Sequence, residues 1–574
     1  MQEALTTSPQ ELPVISWKTR LLDICLLVVG LSFIIGLFGY LRPLARPDAL
    51  AFLETAREML VNHDWVTPTL NNAITLDYPP LFFWLTALNF KLFGYSLFAA
   101  RLWPAIFGII GVVNLYLFGS WWAGRRMGYA CALIATSSML WLTLMTAAAP
   151  YIMGSVLLTI SLCSIFAAGL TASASHRGWL ATLFWTCCGL NTLLLGTAGL
   201  VLPLLIAIIH FTVMSNKEGL KSLVSPRGIF IFAILTLPWY FLAAQNNPGF
   251  LSFFFYKAVW LDYLAHFHHG LQFLLIIFFA TFAALLPWSV LANMGFWACL
   301  ARSWDARFDK PLGTFLIIWV IVTTVYLIGI APLSLFWVAL LTPALSIALS
   351  KALYRWWSTT DQPLFKASRG LLILFIVLLT AFFCLMSRYT SNLAIGFITS
   401  PETAKLLVIL YVIFLAGGIA AYFTLKRREG LKDTAIVFFC LGLVGTITFV
   451  SALPRLRADS MQSIIQYIQT HQKADDVVAN YQHYYPEVAF SLQKAPIVMV
   501  DSMDMPTYAR LNQNTGTWMV TAPFFWQTLQ KNGRHVFLIA PASAMSGLAE
   551  TITANHLNLV AGANGVVLLT NAES

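Results

Sequence analysis

For about 450 residues the chain alternates long apolar runs with short polar breaks, and that rhythm stops near Pro454. A helix of about 17–25 apolar residues is long enough to cross the hydrocarbon layer of a bilayer. The pattern predicts about thirteen such spans, near residues 21–41, 81–118, 129–147, 150–171, 178–194, 197–214, 228–245, 270–297, 312–330, 332–350, 370–387, 404–425 and 434–452. The second run is too long for one straight helix, so its start is expected along the membrane interface. The run from about Leu21 to Tyr40 lacks a short apolar core followed by a small-x-small cleavage site. It reads as a retained span and not as a signal peptide.

Beyond Pro454, helical stretches alternate with short β-rich runs at Val477–Ala479, Ile497–Val500, Thr517–Val520, Val536–Ile539 and Val566–Leu569. This alternation predicts a small α/β domain. No glycine-rich turn follows any of these strands, so nucleotide binding is not expected there. The expected architecture is an α-helical polytopic membrane domain over 1–453, with long loops at 42–80 and 245–269, followed by an extracytoplasmic α/β domain over 454–574.

Composition strengthens the membrane reading. Hydrophobic residues make up 59% of the 574 positions and charged residues only 10%, whereas soluble domains carry roughly 25% charged residues. The formal charge of +10 would suit nucleic acid if it formed a basic stripe among exposed aromatics, but it is scattered in clusters between apolar runs. Lys18 and Arg20 precede the first predicted span, and Arg125, Arg126, Arg177, Lys217, Lys221, Arg227, Arg302, Lys351, Arg355 and Arg427 follow even-numbered ones. All then fall on one side, which the positive-inside rule makes cytoplasmic. The N-terminus is expected in the cytoplasm and the C-terminal domain in the periplasm. All eight cysteines lie in apolar runs and none follows Cys440, which suits buried thiols better than a disulfide framework or a metal knuckle.

Two long loops remain as places for chemistry. In the first, Asp48 follows Arg46-Pro47 and would cap the helix after it. Ala51, Phe52, Thr55, Ala56 and Met59 give that helix an apolar face suited to a membrane surface. Spacing alone makes the loop a capped interfacial helix with ordinary surface acids. The second loop holds His266, His268 and His269.

The first loop also carries Ala56-Arg57-Glu58-Met59-Leu60, Asp64-Trp65-Val66-Thr67-Pro68, Asp77-Tyr78-Pro79-Pro80-Leu81, Phe93-Gly94 and Arg101-Leu102. Later come Pro238-Trp239-Tyr240, Asn247-Pro248-Gly249, Pro287-Trp288-Ser289 and Pro343-Ala344-Leu345. In these motifs the chain resembles the lipid-A aminoarabinose transferases and the related protein mannosyltransferase-like and oligosaccharyltransferase-like membrane glycosyltransferases, which share the GT-C fold. The resemblance runs over nearly the whole chain. It implies transfer of a sugar from a polyprenyl-phosphate donor of the undecaprenyl-phosphate type to lipid A, an envelope glycan or a protein. The reaction would proceed at the outer face of the bacterial inner membrane with inversion at the anomeric carbon.

That chemistry needs a base for the acceptor hydroxyl and positive charge or a metal for the departing phosphate. The resemblance makes Asp48 the candidate base and Arg57, Arg101 and Tyr78 candidate donor-binding residues. It makes Asp77, with His268 and His269, the candidate holder of a divalent metal such as zinc, magnesium or manganese. The sequence departs from the family where Tyr78 replaces a lysine, where Thr146–Pro150 lacks a second acid, and where Trp337 stands in place of a tyrosine. The competing expectation is a non-catalytic relative, or a transporter of a lipid-linked sugar. Transporters place charges near mid-membrane, whereas acids here collect in the first loop.

Overall fold

The computed structural model describes residues 16–41, 47–254, 270–330 with breaks at 290, 292–298 and 300–306, 335–358, 401–457 without 426–429, and 459–571 without 503–517 and short gaps at 474, 495–496, 533 and 564. The predicted span near 370–387 lies outside these residues. The chain divides into two compact units. One comprises Met1–Leu41, Arg101–Phe241 and Phe255–Ser451, and the other Arg42–Ala100, Leu242–Phe254 and Ala452–Ser574.

The first unit is helical. Six described helices are long and apolar enough to cross a membrane, and a bent pair makes up to seven. Shorter apolar helices at Ala198–Val213, Phe273–Ala284, Val408–Thr424 and Asp433–Thr448 accompany them. The chain is a multi-pass membrane protein. At its centre the helix Tyr151–Leu170 is almost entirely buried and packs against Ala174–Leu195 and Ala198–Val213. Small residues permit this closeness, as in other membrane bundles. A Cβ at Gly154 would meet Leu195 at 2.4 Å, and one at Gly169 would meet Phe211 at 2.5 Å. The Ser155 hydroxyl donates to the Ala339 carbonyl at 2.7 Å and ties in the short 3-10 segment Leu335–Leu340.

Three junctions show how local chemistry cuts the apolar runs. The 81–118 run breaks at Gly94, whose φ of 71° suits a residue without a Cβ. Helices Leu81–Phe93 and Leu97–Ala123 result. Gly196, with φ 70°, likewise ends Ala174–Leu195. The 129–147 run, expected as one span, is two helices, Arg125–Ser137 and Met139–Met145, bent by 71°. Ser138 is extended at the joint, and the hydroxyls of Ser137 and Ser138 donate back to Leu133 and Ile134 carbonyls at 2.6 Å. The Met139 N–H leaves its own helix for the Leu286 carbonyl, 3.2 Å away. Hydroxyls competing for helix carbonyls favour such bends.

Among the described residues of this unit, one acid is enclosed. Asp23, fully buried, takes a two-pronged ion pair from Arg125 at 2.6 and 2.7 Å and hydrogen bonds from the Tyr129 and Tyr116 hydroxyls. The network joins the first helix, Trp17–Leu41, to Arg125–Ser137 and Leu97–Ala123.

The second unit contains a two-stranded hairpin, β1 (Thr69–Leu70) and β2 (Ala73–Ile74). It also contains a six-stranded sheet of β3 (Val477–Tyr481), β4 (Val498–Val500), β5 (Met519–Val520), β6 (Val536–Pro541), β7 (Asn558–Ala563) and β8 (Val566–Thr570) in the order β5-β4-β3-β6-β8-β7. Strands β5, β4, β3 and β6 run parallel, while β8 is antiparallel to β6 and β7. The helices Asp459–His471 and Pro486–Leu492 cover one face through Ile464, Ile468, Val488 and Ala489, packed on Val478, Phe537 and Ile539. The helix Ala522–Asn532 covers the other through Phe525 and Trp526. Strand β7 was not expected from the sequence.

Candidate active site

The first loop is a helix, Pro47–Asn62, followed by the hairpin. Proline supplies a preset φ and has no N–H to leave unbonded, so it suits a helix opening. Asp48 therefore stands inside the first turn, two residues later than a cap would, and its side chain lies outside the described residues. The apolar face expected along a membrane surface is instead covered by protein. Leu50, Phe52, Leu53, Ala56 and Met59 are all buried because Leu81–Phe93 and Pro486–Leu492 pack on the helix. Phe52 lies 5.7 Å from Phe82 and 6.2 Å from Phe83, ring centre to ring centre.

That covering also encloses charges. Glu54, Arg57 and Glu58 are 0%, 4% and 1% exposed. Arg57 donates from Nε and Nη2 to the two Glu54 oxygens at 2.8 and 2.6 Å. Burial works against the guanidinium charge, but the Glu54 pair outweighs it and holds Arg57 firmly protonated. Glu58 has no such cation. It accepts the Thr69 hydroxyl at 2.6 Å and the Asn71 and Asn72 N–H groups at 2.7 and 3.0 Å. Burial pushes its carboxyl up to about 7; the Thr69 bond opposes this and the nearby Glu54 charge adds to it.

The hairpin turn passes the contact on to the C-terminal sheet domain. Asn71 Nδ2 donates to the Ile497 carbonyl at 3.0 Å, and the Ile497 N–H donates to Asn71 Oδ1 at 2.6 Å. An amide side chain thus pairs with a peptide unit as a neighbouring strand would. Ala73, Met499 and Trp518 form a small apolar cluster beside it. Tyr484 is half-buried close by, and the burial of its hydroxyl and the two loop acids hold that hydroxyl well above the usual tyrosine range. At the other end of the loop Asn247 donates to the Thr67 hydroxyl at 3.1 Å.

The other candidates are spread out. Asp77 is exposed on the bend after the hairpin, and the Tyr78 ring lies edge-on to Phe52 at 5.0 Å. Arg101 is buried at 7% exposure in Leu97–Ala123, and so belongs to the first unit. His266, His268 and His269 lie outside the described residues. Among the described residues no group of three or more His, Cys, Asp and Glu could hold a metal. Trp337 packs edge-on to Tyr151 at 5.9 Å. The structure thus gathers Arg57 with Glu54 and Glu58, two acids that the sequence reading took for surface residues. The signal was present: three charges fall within one helical turn of an otherwise apolar stretch.

One solved structure matches the fold over nearly the whole chain. ArnT from Cupriavidus metallidurans bound to undecaprenyl phosphate superposes with a TM-score of 0.81 over 96% of this chain and 98% of its own, at 21% identity. The chain has the GT-C fold. The apo state of the same ArnT matches with a TM-score of 0.76. The Archaeoglobus fulgidus oligosaccharyltransferase shares the GT-C architecture more distantly, at 0.50 and 12% identity over 94% of this chain and 72% of its own. Residues 77–241 match the dolichyl-phosphate-mannose-protein mannosyltransferase family. The undecaprenyl phosphate-alpha-4-amino-4-deoxy-L-arabinose arabinosyl transferase of Serratia proteamaculans is 26% identical over 304 residues, 52% of each chain. That of Erwinia tasmaniensis is 25% identical over 299, covering 50% of this chain and 51% of its own. The chain spans about half the length of the curated relatives it matches. The GT-C family resemblance read from the loop motifs stands.

Proposed function

We propose that the protein is a polyprenyl-phosphate-dependent glycosyltransferase. It moves a pentose or hexose from an undecaprenyl-phosphate-type donor to lipid A, another envelope glycan or a protein. The site faces the periplasm from the inner membrane, with the N-terminus in the cytoplasm and the C-terminal domain outside. The observation that carries this reading is the set of arabinosyl transferase relatives matched over half the chain. The loop supports it by holding an aspartate in the first turn of a helix that Leu81–Phe93 and Pro486–Leu492 pack against.

In this reading Asp48 accepts the proton of the acceptor hydroxyl as that oxygen attacks the anomeric carbon. The bond to the donor phosphate breaks on the opposite face, and the lipid phosphate leaves with the electron pair. Arg57, Arg101 and Tyr78 are the candidates for the donor phosphate; Arg57 is also paired with Glu54, and Tyr78 stands in the place of the family's lysine. Asp77, with His268 and His269, would hold a divalent metal, whose chemistry there is to neutralise phosphate charge.

Full-length protein in lipid nanodiscs, given undecaprenyl-phosphate aminoarabinose and lipid A, should turn over. Asp48→Asn should lower kcat by about 100-fold or more. Undiminished turnover in this variant removes Asp48 as base, and a folded wild type inert towards a panel of polyprenyl donors favours a non-catalytic relative. Metal analysis of the same preparations should show a loss in Asp77→Ala; equal content removes the metal site.

A further inference from the structure

The buried charges of the loop do not balance. Glu54 and Glu58 are one helical turn apart and both enclosed, with Arg57 between them and committed to Glu54 through both oxygens. Among the described residues, three elements bring groups that act on Glu58. Its own helix brings Glu54 and Arg57, the hairpin brings Thr69, Asn71 and Asn72, and the sheet domain brings Tyr484. Among the described groups facing it Arg57 is the one cation, and its charge is shared between two acids while its hydrogen bonds go to Glu54 alone. An enclosed carboxylate without a hydrogen-bonded cation of its own tends to take a proton instead.

What Glu58 holds makes that proton matter. Its three bonds fix the hairpin turn, and the residue at that turn, Asn71, makes both bonds to the Ile497 peptide. One path from loop helix to sheet domain thus runs through Glu58, the turn and Asn71, beside the direct packing of Pro486–Leu492 on the helix. Asp48 lies ten residues back on the same helix, roughly 15 Å along its axis.

We propose that Glu58 is a positioning residue whose proton controls docking of the first loop onto the C-terminal domain: neutral Glu58 clasps the hairpin against Ile497, and ionised Glu58 loosens it. For catalysis this rests on the transferase reading, since the helix so positioned carries its candidate base. The sign follows from burial. In the docked loop the acid keeps its proton up to about 7, against an ordinary value of 4.5. Between those values undocking releases a proton, so docking weakens as pH rises to about 7 and is level above it.

Hydrogen exchange in the full chain in nanodiscs, corrected for the intrinsic pH dependence of exchange, reads the clasp without any substrate. Protection of the Asn71, Asn72 and Ile497 amides should fall roughly tenfold between pH 6 and pH 8. Glu58→Gln, which cannot ionise, should show no such fall. Thr69→Val, which removes a bond favouring the charged form, should move the midpoint upward. A level profile in wild type, or the wild-type slope retained in Glu58→Gln, overturns the proposal. Turnover measured alongside should lose its pH limb near 7 in Glu58→Gln and keep it in Thr69→Val at a higher midpoint; a limb unchanged in Glu58→Gln overturns the positioning role. If no variant and no wild type turns over any donor, the transferase reading fails while the exchange profile still decides the clasp.

Discussion

Asp23 in the helical unit and Glu58 in the loop are both enclosed acids, and the protein treats them in opposite ways. Asp23 meets one arginine and two tyrosine hydroxyls, so every lone pair of the carboxylate has a donor and its charge has a partner. Arg125 is itself 47% exposed and keeps its access to solvent. Glu58 meets donors too, but its helix spends the one nearby cation on Glu54. A balanced cluster pins helices together at any pH where its acid stays charged. An overloaded one makes its contacts conditional on a proton.

The sharpest way to break this contrast is to remove each cation's partner in turn. Arg57→Ala leaves two enclosed acids with no positive charge, and breaking a buried pair on one side costs about 3–5 kcal/mol. We expect the loop helix to lose that much protection in hydrogen exchange at pH 8, with most of the loss recovered at low pH. Protection within about 1 kcal/mol of wild type would mean the ion pair does not hold the loop. Asp23→Ala should cost less, about 1.5–3 kcal/mol, because the arginine it strands can turn to water; the loss should appear as release of the first helix. Tyr129→Phe, which deletes one hydroxyl of four donors, should cost about 0.5–1.5 kcal/mol. If Tyr129→Phe matched Asp23→Ala, the cluster would depend on the tyrosine and not on charge balance.

Much of the fold was legible because apolar runs and strand composition report directly on burial. Each of the five β-rich runs of the tail overlaps a strand, and the expected division between 178–194 and 197–214 falls at Gly196, whereas the break at Gly94 inside 81–118 was not marked. The missed strand β7, Asn558–Ala563, is an edge strand with Leu559 exposed, so no apolar alternation marked it. The bend at Ser138 was hidden as well, since hydroxyls that bond their own helix leave the hydropathy of the run intact. The loop was harder. Periodicity put Ala51, Phe52, Thr55, Ala56 and Met59 on one apolar face, and all but the half-buried Ala51 are indeed buried. Periodicity also put Glu54 and Glu58 on the opposite side and left them to water. They are enclosed because a segment more than 400 residues downstream folds over them; the charges crowded into an apolar stretch hint at burial, but local sequence does not say which segment supplies the cover.

The bond between Asn71 and Ile497 closes a separation of 426 residues. At a synthesis rate of about 5–20 residues per second, the hairpin is made roughly 20–85 seconds before the peptide it docks on exists. Through that interval Glu54, Arg57 and Glu58 face water or another protein, and the apolar side of the loop helix has no cover from the domain that will later enclose it. The first loop of this chain is therefore among the last parts to reach its final form. Truncations anywhere before Ile497 should leave it exposed to proteolysis, however well the helices between have packed.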